Sequence, residues 1–263
     1  MTVSLQGYKV LITRPKKQGA VLCQLVNDAG GMVIPFPVIE IIPSGHFRPG
    51  QLLAVLSDSS HIIFISRNAV ICTDQLIGAL AGHLQAKRVF AVGNGTLQEL
   101  IEMGVTGVLS PGMKSGSEQL LDLDELKEEM IRGRKIIIIR GESGRELLKQ
   151  TLESRGAEVQ YASVYRREIP KVSPDTVETL WQDTCPDVIV VTSGQGLQNL
   201  LVICGREYRD ILKSKRLVVM SSRIQEHAKT SGFIYPAVVA GEQTDQGLLK
   251  AIERSVELIR NES

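Results

Sequence analysis

The chain has 263 residues, with 30 Lys and Arg against 29 Asp and Glu, a formal net charge of +1. Apolar residues make up 43%, enough for one large domain or two small ones, and the balanced charge carries no global footprint for nucleic acid or a membrane surface. No apolar run reaches the roughly 18 residues of a membrane span, no export signal opens the chain, and Cys23, Cys72, Cys185 and Cys204 are too far apart for a metal-ligand pattern. A soluble cytoplasmic protein is the expectation.

In chain order, the first predicted strand lies in KVLITRP (9–15), followed by a helix with apolar residues at three- and four-residue spacing. PFPVIEIIP (35–43) is extended and closed by proline, and a surface loop is expected over 45–50. Buried strands follow in HIIFISRNAV (61–70) and RVFAVGNGTLQELIEMGV (88–105), the second running into a helix, with His83 expected in a loop between them. A loop over 110–116 precedes KIIIIRGESGRELL (135–148), again strand, polar corner and helix. YASVYRREIP (161–170) is a second extended, proline-closed stretch. Ser173 is expected to open a helix, DVIVVTSGQG (187–196) and RLVVMSSRIQEHAKTSGF (216–233) repeat the strand–turn–helix phrase, and Thr244 is expected to cap a C-terminal amphipathic helix.

This order contains a repeat. Residues 9–34 align with 135–160 at an offset of 126, 61–70 with 187–196 at the same offset, and 88–105 with 216–233 at 128. The strands are continuous apolar runs rather than alternations, as in parallel strands covered on both faces. A duplicated α/β unit with about five strands per copy follows, each a small doubly wound sheet. The two extended stretches recur once per repeat, where a strand leaving its own sheet would cross to the other lobe. The expected boundaries are 1–37 with 169–263 for a discontinuous lobe one, 46–160 for lobe two, and 38–45 and 161–168 for two linker strands. A division into N- and C-terminal halves stays open on the residues alone.

Ligands of open parallel sheets bind beyond the carboxyl ends of the strands. The residues expected there are Arg14; Ser66 and Asn68; Gly93 and Thr96; Arg140, Gly141 and Arg145; Thr192, Ser193 and Gly194; and Ser222 and Arg223. Glycines free backbone amides, hydroxyls donate, helix N-termini add partial positive charge, and arginines offer forks to carboxylates. The set suits a ligand with several negative charges. Each hydroxyl can equally be a helix cap and each arginine a brace for its turn, and both readings stay open. RGESGRE and VGNGT do not match a dinucleotide fingerprint, and the chain has no ATP phosphate loop. No Ser-His-Asp set, paired carboxylates or metal site can be argued. An enzyme built from these residues would act by holding its substrate. Tyr165, in VYRRE, either packs or places a phenol as a donor.

VLITRP (10–15), PVIEIIP (37–43), FISRNAV (64–70), AVGNGT (91–96), RGESGRELL (140–148), VYRREIP (164–170), VTSGQGLQNL (191–200), MSSRIQEHAKTSG (220–232) and DQGLLKAI (245–252), in this order, resemble the uroporphyrinogen-III synthase family over nearly the whole chain. The resemblance implies two doubly wound, flavodoxin-like parallel-sheet lobes joined by a two-stranded β linker. It implies conversion of hydroxymethylbilane, a linear tetrapyrrole with eight carboxylates, to uroporphyrinogen III with loss of water and inversion of ring D, without metal or organic cofactor. It gives Tyr165 a cleft-facing role in assisting hydroxyl departure, and makes Thr96 and Ser193 substrate-binding. Ile65 stands where the family often has threonine, and Ser221-Ser222-Arg223 where some members have Gly-Pro-Thr, so the carboxylate contacts differ locally. A monomer, in transient contact with hydroxymethylbilane synthase, is expected. Two other readings compete: a non-catalytic two-lobe binding protein for a polyanionic small molecule, and a transferase acting on an acidic metabolite.

Overall fold

The computed structural model describes residues 4–112, 116–144 and 146–262. The chain divides into two compact units. One takes in the chain up to Glu40 and from Glu168 onward; the other is Ile41–Arg167. The strands are β1 (Lys9–Ile12), β2 (Met32–Pro35), β3 (Glu40–Pro43), β4 (His61–Phe64), β5 (Arg88–Ala91), β6 (Lys135–Gly141), β7 (Glu158–Glu168), β8 (Val188–Val191), β9 (Arg216–Val219) and β10 (Val238–Val239). They form two five-stranded sheets, in the orders β10-β9-β8-β1-β2 and β3-β7-β6-β4-β5. Apart from the β3–β7 edge, each pairing is parallel.

Continuous apolar strands arise because both faces of each sheet are covered. In the first unit, Val10, Ile12, Val188 and Val190 pack with Leu22 and Val26 of one helix (Lys16–Asp28) and Leu248, Ile252 and Val256 of another (Asp245–Glu262). The intervening Leu11, Ile189 and Val191 point the other way, onto Leu197, Leu200 and Ile224. In the second unit Ile62, Phe64, Ile137 and Ile139 pack with Leu52, Leu56, Val70 and Leu100, while Ile63, Ile136 and Ile138 meet Leu120, Leu148 and Leu152. Period-two alternation persists, with apolar side chains on both sides.

The duplication is visible in the pairing. Lys9 lies opposite Met32 across β1–β2, and Lys135 opposite Glu158 across β6–β7. Val218 pairs with Val238 of β10, and its counterpart Phe90 bridges Leu109. One alignment shifts by a residue. Ser66 caps the helix Arg67–Ile77 and Ser193 caps Gly194–Cys204, each accepting from the amide three residues on, and the helices end at Gly78 and Gly205. Ser66 therefore corresponds to Ser193 rather than Thr192. The cap fixes the register, because both helices start from the residue whose hydroxyl can meet their third amide.

Other local expectations resolve similarly. Ser173 Oγ accepts from Thr176 N at 3.2 Å and Thr244 Oγ1 from Gly247 N at 3.0 Å, so both cap as expected. The loop over 45–50 is cut short by a helix, Pro49–Asp58. Proline suits a first helical position, and Gln51 Oε1 reaches back to accept from Arg48 N at 2.9 Å. His83 ends a one-turn helix, Leu80–His83, instead of lying in a loop. Among the described residues no helix is long and apolar enough to cross a membrane.

His61 opens β4 at the amino edge of the second sheet, buried and stacked on Phe90 with ring centroids 5.8 Å apart. Burial first, then Arg88 and Arg134, push its pKa down from 6.5 to about 4. The folded state therefore holds a neutral ring where the unfolded chain takes up a proton. Stability is full above pH 6.5 and is lost as pH falls toward about 4. Urea midpoints at pH 7 and pH 5 should differ less in His61→Gln than in the native protein; equal differences would show that His61 does not set this slope.

Candidate functional site

Because the strands are parallel, their carboxyl ends share one edge of each sheet, and the sequence-selected residues gather there in two sets. In the second unit Ser66 and Asn68 follow β4, Gly93 and Thr96 follow β5, Arg140 and Gly141 end β6, and Tyr165 lies on β7. In the first unit Arg14 follows β1, Thr192, Ser193 and Gly194 follow β8, and Ser222 and Arg223 follow β9. Arg145 lies outside the described residues.

The second unit's edge centres on Tyr165. Its ring is buried, and its hydroxyl lies 3.0 Å from Ser66 Oγ. A β-bulge aims it there. Arg140 pairs with Ser163 but Gly141 pairs with Tyr165, so Val164 is skipped, and Val164 and Tyr165 face the same core. Gly141 makes room: a Cβ at that position would sit 2.9 Å from Tyr165 Cε2 and Cζ. Three contacts near these edges were not foreseen from sequence: Thr13 Oγ1 donates to Val190 O at 2.7 Å, Arg67 pairs with Glu99 at 2.9 Å, and His227 Nδ1 lies 3.3 Å from where a Cβ on Gly194 would be. These three act through neighbours distant in sequence, and nothing local signals the contacts.

Hydroxyls divide between two roles. Ser66 and Ser193 cap helices, as the simpler reading has it, and Ser66 also contacts Tyr165. Thr96 is buried in the first turn of the helix Asn94–Glu102, with Gly93 at its cap position, and no described residue hydrogen-bonds its side chain. Ser222 and Arg223 are exposed in the first turn of the helix Ser222–Thr230, so their groups remain open to solvent. The N-termini of these four helices add partial positive charge at the two edges.

The repeated arginines are engaged inside the protein. Arg14 pairs with Asp245 at the start of the C-terminal helix. Arg140 is buried, bonds Glu146 Oε1 at 3.0 Å, and lies 4.3 Å from the centroid of the Tyr161 ring. Tyr161 donates to Glu146 Oε2 at 2.9 Å, which with Arg140 holds the Glu146 carboxyl below its usual range. Burial, then Glu146, push the Tyr161 phenol up to about 12. This geometry favours bracing over ligand contact. Arg14→Met and Arg140→Met should each lower Tm by about 3–6 °C while KM stays within about twofold. A large rise in KM with native Tm would return the arginines to ligand binding.

The structure is thus a duplicated flavodoxin-like α/β protein whose two units carry hydroxyls and glycines at the carboxyl edges of their parallel sheets, where ligands of such sheets bind. The chain belongs to the uroporphyrinogen-III synthase (HemD) family, whose model matches residues 20–250. It is 31% identical over 252 residues to a uroporphyrinogen-III synthase of Escherichia coli, covering 93% of this chain and 99% of that one. It is 32% identical over 248 residues to the enzyme of the same name from Salmonella typhimurium, with the same coverage. The solved uroporphyrinogen-III synthetase of Helicobacter pylori shares the fold, with a TM-score of 0.62 at 11% identity, over 95% of this chain and 99% of that one.

Proposed function

We propose that the protein is a uroporphyrinogen-III synthase. It closes hydroxymethylbilane to uroporphyrinogen III, releasing one water and inverting ring D. The observation that carries the reading is family membership across nearly the whole chain, both units included. Helix amides, Thr96, Ser193 and the open Ser222 and Arg223 are suited to carboxylate arms. Carboxylates are few at the edges; Glu99, Glu146 and Asp245 are each paired with an arginine and Glu142 lies 3.1 Å from His46, so donors outnumber acceptors there.

In this mechanism the ring A carbon–oxygen bond breaks with its electron pair on oxygen. Tyr165 supplies the proton that makes the leaving hydroxyl water. The resulting azafulvene is attacked by the substituted carbon of ring D, and the spiro intermediate rearranges before the pyrroles regain aromaticity. The electron-rich pyrroles drive bond formation; the protein holds the curled geometry that leads to the type III product. Among the described residues no group of three or more His, Cys, Asp or Glu could hold a metal, and the steps described need none. The same reading places the protein in the cytoplasm as a monomer.

A binding protein for the same polyanion would sequester substrate without turnover. Protein at one-hundredth the concentration of hydroxymethylbilane separates the two. Consumption well beyond one equivalent, faster than in buffer, is expected; loss of one equivalent alone would support the binding protein.

A further inference from the structure

We infer that Ser66 is a positioning residue that sets the direction of the Tyr165 hydroxyl proton, in addition to capping its helix. The inference rests on the proposed synthase reaction and deepens it. Ser66 Oγ has one proton and two lone pairs. One lone pair accepts Ala69 N–H at 3.2 Å, the third amide of the helix Arg67–Ile77. The remaining lone pair and the proton face Tyr165 OH at 3.0 Å, and each hydroxyl can donate to the other. If Tyr165 donates to Ser66, the phenol's proton is occupied. If Ser66 donates to Tyr165, that proton is free for the departing hydroxyl.

The helix end favours the second arrangement. An amide donating into Ser66 Oγ draws electron density from it and makes its O–H the better donor. The order is then Ala69 N–H to Ser66 oxygen, Ser66 O–H to Tyr165 oxygen, and Tyr165 O–H to the leaving group. As the carbon–oxygen bond breaks, the phenol's proton completes a water molecule, and the phenolate oxygen is held by Ser66. The proton lost when the last pyrrole regains aromaticity returns to that oxygen, so no other reactant is consumed. Gly141 and the skipped Val164 hold the ring against Ser66.

The repeat supplies an internal control. Ser193 caps its helix the same way, accepting Gly196 N–H at 2.9 Å. The position matching Tyr165 at the offset of 126 is Ile39, which has no hydroxyl. Ser193 thus offers a cap without a phenol.

The test is a double-mutant cycle with Tyr165→Phe, measuring kcat, KM and Tm. Ser66→Ala should lower kcat about five- to tenfold in the native background with little change in KM. In the Tyr165→Phe background the same change should alter kcat less than about twofold, because its partner is already lost. Ser193→Ala should change kcat by the same factor in both backgrounds. Ser66→Thr, which keeps cap and hydroxyl, should recover most of the activity. If loss of the cap makes Ser66→Ala too unstable, Ser66→Gly removes the hydroxyl while costing the helix start less. Equal losses from the Ser66 change in both backgrounds would overturn the inference and make Ser66 an independent substrate contact. Inactive native protein would instead overturn the synthase reading, and the proton path with it.

Discussion

Tyr165→Phe should fold as the native protein does and turn over about a hundredfold more slowly, the scale of a lost general acid. The ring lies in the second unit's core and phenylalanine fills the same space, so packing against Gly141 and Val164 is kept. The hydroxyl's described partner is Ser66, which still accepts Ala69 N. A neutral hydrogen bond lost from that pair costs about 0.5–1.5 kcal/mol. Tm should therefore fall only a few degrees. The fall in kcat reflects a role that grows in the transition state, as charge builds on the departing oxygen. The type III fraction should stay high, because ring geometry depends on holding the substrate's arms. Steady-state kinetics with isomer analysis reads both quantities. Full kcat in the phenylalanine variant would remove Tyr165 as a donor.

Gly141→Ala should lower kcat by up to the same factor, without touching a polar group. The added carbon would stand 2.9 Å from two Tyr165 ring atoms and 3.2 Å from its hydroxyl oxygen. Those ring atoms are not the end of a flexible chain. The ring is fixed by the bulge in β7 and by the core cluster with Phe64, Ile139 and Val164. Overpacking of this kind costs about 1–3 kcal/mol, so a lower Tm should accompany the loss. The diagnostic is the double variant. With Tyr165→Phe already present, Gly141→Ala should still lower Tm but reduce kcat little further. If kcat falls by the same large factor in both backgrounds, the glycine acts on substrate rather than through the tyrosine.

The strands were legible because burial on both faces demands unbroken apolar runs. Ile136–Ile139 and Val188–Val191 could scarcely be anything else once helices flanked them. The duplication was legible for the same reason, down to the five strands of each sheet. The one-residue slip between Ser66 and Ser193 was not, because apolar strands align almost as well at either offset. Helix caps decide that register. The skipped Val164 was hidden because a bulge depends on how two distant strands pair. The arginines were read correctly as strand-end residues but with two roles open. Their partners, Asp245 in the first turn of its helix and Glu146 at the cap position of Leu147–Ser154, look ordinary in sequence and become braces only in three dimensions. Asn199 likewise gives no local sign that its amide will hold the backbone of Val38, at 2.8 Å, inside the first unit.

The synthase account is tested most directly by the isomer formed. Freshly made hydroxymethylbilane is incubated with catalytic amounts of the purified protein, the products are oxidised to porphyrins, and the type I and type III isomers are resolved. The account predicts type III porphyrin in large excess, against type I from the unassisted closure in buffer. Type I alone, at the rate seen without protein, would contradict it.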